Sequence, residues 1–90
     1  MDKVLEKAKE LRLAIEETPE FEEYMENKQL LENNGDLIEL KHNIANLRAK
    51  GKLKEANNLE KLYNNHPLVN NYEASKEALF QLLKTIESLL

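Results

Sequence analysis

The sequence predicts an all-α fold: a compact bundle of four to five helices with a long C-terminal helix. Three observations carry that prediction. Apolar residues recur at three- and four-residue steps along most of the chain, the spacing that returns to one face of an α-helix. β-branched residues are sparse and never alternate with polar ones, so no strand pattern competes. The two prolines and two glycines stand at or beside the breaks between periodic stretches, where helices start and stop. Residues 1–90 are expected to form a single domain, and a chain this short buries roughly 60–65% of its unfolded surface, so it gains from self-association.

Taken in order, Val4, Leu5, Ala8, Leu11 and Ile15 define a first amphipathic helix from Asp2 to about Glu17, with Leu13 off the stripe. Thr18-Pro19 punctuates it. Thr18 suits an N-cap and Pro19 a first helical position, and Glu20, Glu22 and Glu23 lie near the positive end of the next helix. That second helix carries Phe21, Tyr24, Met25 and Leu31, and Gly35 in Asn33-Asn34-Gly35 is expected to close it in a left-handed conformation. Asp36 is expected to begin a third helix, with Glu39 at capping-box spacing and a stripe of Leu37, Leu40, Ile44 and Leu47. Leu53, Ala56, Leu59, Leu62 and Tyr63 resume the stripe slightly rephased beyond Gly51, which favours a sharp hairpin or kink there over one straight rod.

The organising stretch is His66 to Leu90. Asn64, Asn65 or His66 can cap it and Pro67 suits its first turn. Leu68, Tyr72, Leu79, Leu82, Ile86 and Leu89, with Ser75 between, form one stripe; Val69, Leu83 and Leu90 widen it and Phe80 lies on its far edge. Those six residues are expected to be core or interface, each large apolar side chain contributing roughly 1.5–3 kcal/mol when buried. A helix so one-sided needs partners, within the chain and in a second copy of it.

Composition excludes several classes of function. With no cysteine there are no disulfides, thiolate nucleophiles or cysteine-ligated metal clusters. No apolar run approaches membrane-spanning length, and Met-Asp-Lys-Val-Leu-Glu-Lys-Ala-Lys-Glu-Leu has no leader-like core, so a cytoplasmic protein is expected. The only histidines, His42 and His66, fall on different elements, and Glu39–His42 is a single carboxylate–histidine pair on a polar face. Neither makes a metal site, two glycines build no phosphate loop, and adjacent acids such as Glu16-Glu17 point apart on a helix. The sequence therefore predicts a binding protein without catalysis or cofactor. Its net charge of −4 is uneven: Lys41, Arg48, Lys50, Lys52 and Lys54 form a stretch without any acid. Arg48, Lys50, Lys52 and Lys54 could contact a partner, acidic protein or nucleic acid, but a solvated helix end is the favoured reading, because no aromatic residue is interleaved for base stacking.

One longer pattern is more specific. Thr18-Pro19-Glu20-Phe21-x-x-Tyr24, a Leu-rich hairpin about Lys50-Gly51-Lys52, and Asn65-His66-Pro67-Leu68-Val69-x-x-Tyr72 before a heptad-like tail follow one another in order. This pattern resembles the small helical YlbF/YmcA/YheA proteins of Firmicutes. The resemblance implies an all-helical homodimer built on long helices, and a regulator that contacts other proteins in competence, sporulation, biofilm formation and RNase Y-dependent mRNA maturation. Relatives that bind iron–sulfur clusters do so through cysteines, so cluster binding is not implied here. Asn34-Gly35 stands where relatives often carry an Asp-Pro type of turn, which places the chain nearest the cysteine-free YheA-like branch.

Overall fold

The structure, a computed structural model, describes residues 2–89. Five helices follow one another: α1 Asp2–Glu16, α2 Pro19–Glu32, α3 Gly35–Ala49, α4 Leu53–Asn64 and α5 Pro67–Leu89. Leu90, expected to widen the last stripe, lies outside the described residues. No strand occurs among them.

Each turn is closed by identifiable chemistry. The Thr18 hydroxyl donates to the Ile15 carbonyl at 2.6 Å and accepts from the Phe21 amide at 3.3 Å, so one side chain ends α1 and caps α2, with Pro19 following. At the next turn the expectation for Gly35 is corrected. Gly35 does not close α2: its φ is not positive, and it is the first residue of α3. Asn33 ends α2 in the right-handed region, and the Asn34 side chain, not Asp36, accepts the Leu37 amide at 3.0 Å. An asparagine oxygen at that distance satisfies an orphan helix donor, which leaves Asp36 in the first turn as a charge favourable to the dipole.

Gly51 is where the chain reverses, at φ 76°. Its amide donates to Arg48 and the Lys52 amide to Leu47, at 3.1 and 2.9 Å, the paired bonds of a Schellman ending. The hairpin expected there is therefore present, and it lays α4 back along α3. His66 Nδ1 accepts the Leu68 amide at 3.1 Å and caps α5.

Two antiparallel pairs result. The α3–α4 hairpin buries Ile44 and Ala56, the latter with no exposed surface, which lets the two backbones approach closely. α2 runs antiparallel to α5: Tyr24 meets Tyr72, and the Asn27 side-chain amide donates to the Asn71 carbonyl at 3.4 Å. Ser75 is buried in α5 and donates to the Tyr72 carbonyl of its own helix, so a small residue lies under the α2–α5 contact at no cost in unpaired groups. Leu37 and Val69, both buried, pin the two pairs together.

Compactness is local to that junction. The radius of gyration is 17.8 Å and the extents are 53 × 26 × 23 Å, whereas a rounded domain of this length has a radius of gyration of roughly 12 Å. The length comes from α1, which touches only α2, and from α5, which outruns its partner. With a rise of about 1.5 Å per residue, α5 is about 13 Å longer than α2.

Candidate interaction surfaces

The drawn-out end carries apolar surface that the chain itself does not cover. On α1, Leu11 and Ile15 are half-buried near the Thr18 turn, but Val4 is 72% exposed and Leu5 and Leu13 are more than half exposed. The α5 stripe loses its cover in the same direction: Leu68, Tyr72, Leu79, Leu82 and Ile86 are half-buried, and Leu89 is 81% exposed. The buried positions of α5 are Ser75, within the stripe, and Val69, beside it. Phe80 and Leu83, half open, line a shallow dent with Tyr24 and Leu79 beside this tail. Large apolar side chains therefore face water at regular helical spacing along this end.

The basic stretch is assembled differently. Arg48 is not available as a free cation: it pairs with Glu60 across the hairpin. Lys50, Lys52 and Lys54 are exposed around the Gly51 turn, near the C-terminal end of α3 where positive charge is electrostatically favoured. Lys41 stands further from the turn along α3, its Nζ 5.7 Å from the centre of the Tyr63 ring. His42 is exposed and His66 serves as a helix cap, so the fold does not bring the two histidines to one place. Among the described residues no three His, Asp or Glu side chains gather closely enough to hold a metal ion.

A third feature was not read from the sequence. Where the two helix pairs meet, a cavity of about 370 Å³ opens between α2, α3, α4 and α5. Its floor is Leu37 and Val69; Leu31, Ile38, Tyr63 and Tyr72 form the walls; Lys28, Glu32, Lys41 and Glu73 ring it. The Tyr24 and Tyr72 rings lie 5.6 Å apart at 35° on the α2–α5 side. The Tyr72 hydroxyl is pushed up to about 12, first by the neighbouring Tyr24 hydroxyl, then by burial, and then by the negative charges of Tyr24, Glu73 and Glu32. A usable signal for this pair was present: both tyrosines stand five residues after a helix-opening proline, Pro19 and Pro67. Equal offsets from opposite ends meet only at the middle of an antiparallel overlap, which is where Tyr24 and Tyr72 face each other.

With this geometry in place, comparison with protein families is decisive. The family model described as control of competence regulator ComK, YlbF/YmcA, matches residues 4–90. The chain belongs to the YlbF/YmcA family. The match spans α1 and the α5 tail as well as the packed helices. Comparison with curated proteins and with solved structures gave no match. Among the described residues of this YlbF/YmcA member, no helix is long and apolar enough to cross a membrane.

Proposed function

We propose that this chain is a non-catalytic regulator in competence-related control, a cytoplasmic homodimer that acts by contacting other proteins. The observation that carries the reading is the uncovered apolar face of α1 and the α5 tail in a chain whose family is described by competence control. Two copies can cover each other's tails: a C2 contact presents the same patch twice, and two such stripes supply the large apolar residues a stable interface core needs. Pairing of this kind fits the modest core of one chain, whose buried apolar residues are Leu37, Ile44, Ala56 and Val69. The finer roles implied by resemblance, in sporulation, biofilm formation and RNase Y-dependent mRNA maturation, belong to this same reading, as does a place in a multi-protein regulatory complex.

The test replaces one tail residue. Leu89→Asp removes nothing buried within a chain, because Leu89 is 81% exposed. It is expected to leave the helical content intact, to dissociate the dimer, and to lose regulation of a competence-gene reporter in a host lacking its own copy. A variant that dissociates yet regulates normally would separate self-association from function. Wild-type capture of other proteins that survives nuclease treatment supports direct protein contact; capture lost on nuclease treatment would point to nucleic acid at Lys50, Lys52 and Lys54 instead.

A further inference from the structure

The cavity at the junction of the two helix pairs lies at the opposite end of α2 and α5 from the uncovered tails. Along α5, Tyr72 and Ile86 are separated by about 21 Å at a rise of about 1.5 Å per residue. A dimer contact on the tails therefore leaves the cavity free for something else. Its chemistry is unusual for a surface recess. An apolar floor and wall of Leu31, Leu37, Ile38 and Val69 are ringed by four charges, and none of Lys28, Glu32, Lys41 or Glu73 is held in an ion pair among the described residues.

Those charges are unevenly placed: Lys28 shares α2 with Glu32, so the α2–α5 side carries two acids and one base, and the α3 side carries Lys41 alone. Glu32 and Glu73 line the recess together with Tyr72, on the α2–α5 wall. Lys41 lies over Tyr63, on the α3–α4 wall. An occupant that satisfies both walls must carry an apolar body in the middle, an acid toward Lys41 and a base toward Glu32 and Glu73. We propose that the recess receives an amphipathic helix of a protein partner, with one bulky apolar residue seated between Ile38 and Tyr72 and flanked by an acidic residue on the α3 side and Lys or Arg on the α5 side. A volume of about 370 Å³ is at the low end for a small-molecule site, typically roughly 300–1,000 Å³, and suits one or two anchoring side chains of a helix laid across a groove. The assignment rests on the reading that this chain works through protein contacts; it names where a partner other than a second copy docks and by what chemistry.

The experiment uses the full chain and a displayed library of short amphipathic helices. Selection is expected to enrich peptides with one Leu, Phe or Trp between an acid and a base. Amide chemical shifts on binding are expected at Leu31, Ile38, Tyr63 and Tyr72 and not along the α5 tail. Ile38→Glu places a charge on an already exposed rim residue, so folding is retained while affinity falls by about tenfold or more; Lys41→Glu reverses the preference for the acidic flank. Leu89→Asp leaves peptide affinity unchanged, so loss of the dimer and loss of docking are told apart. No enrichment, peptides that bind Ile38→Glu equally well, or shifts confined to α1 and the tail would overturn the assignment. Equal occupancy by N-acetyltryptophanamide, which lacks both charges, would overturn it in favour of a small-molecule site.

Discussion

The junction of the two helix pairs and the uncovered ends of α1 and α5 are built from the same materials and end in opposite states. Both are amphipathic helices with leucines at helical spacing. At the junction, Leu37 is 3% exposed and Val69 4%, because four helices converge on them. At the tails, Val4 and Leu89 face water because α5 outlasts α2 and α1 diverges after its Thr18 turn. Amphipathicity in a sequence thus states that a face will be covered without stating by what. Inside one chain the answer is set by which helices have antiparallel neighbours of matching length.

If that contrast is right, substitutions in the two regions should fail differently. The largest effect is expected from Leu37→Ala, which deletes a buried side chain where the surroundings are fixed by four helices; about 2–5 kcal/mol of stability should go, read as a lower thermal midpoint at every protein concentration. Leu82→Asp, at a half-buried stripe position, should lower the midpoint by less and abolish the concentration dependence that association gives the wild type. A variant with unchanged midpoint and mass in solution would show that the stripe is not buried even in the assembled protein.

The two glycines sharpen the comparison within the junction half. Gly51→Ala forces a side chain into a left-handed conformation and should cost about 1–2 kcal/mol even though open space surrounds it. Gly35→Ala, at the first helical position with an ordinary φ and nothing within 4 Å, should be neutral or stabilising by about 0.4–1 kcal/mol. Chemical denaturation of both variants decides whether Gly51 is the turn the fold depends on.

The smallest effect concerns Tyr72. Its folded pKa, about 12, lies above the ordinary 10.0, so the folded state holds the phenolic proton more tightly than the unfolded one. That contribution is complete below about pH 10 and is lost as pH rises through about 12. Spectrophotometric titration should show one of the three tyrosines ionising late, and Tyr24→Phe should bring it back toward its ordinary value because the Tyr24 hydroxyl is the main cause.

Most of the architecture was legible because helix boundaries are written in local chemistry. Thr18-Pro19, Gly51 and His66-Pro67 each act within a few residues of themselves, and each does what its side chain or φ range dictates. Gly35 misled because glycine signals a helix end only when the backbone takes a positive φ, and an adjacent asparagine able to cap made that unnecessary. The Arg48–Glu60 pair and the central recess were not legible, since they depend on how the α3–α4 hairpin and the α2–α5 pair meet. Helical periodicity carries no information about that angle. The same limit applies to the α5 stripe: spacing marked its apolar face, on which Ser75 and the flanking Val69 are buried, but not that cover within the chain would fade toward Leu89.

The most direct test of the central claim is the mass of the protein in solution, measured by sedimentation for the wild type and for Leu89→Asp across a range of concentrations. Twice the chain mass for the wild type and the single chain mass for a variant that is still helical would show that the uncovered tails are the interface. A wild type that remains a single chain at all concentrations, with the same thermal midpoint as Leu89→Asp, would contradict it and leave the tails as solvent-facing helices.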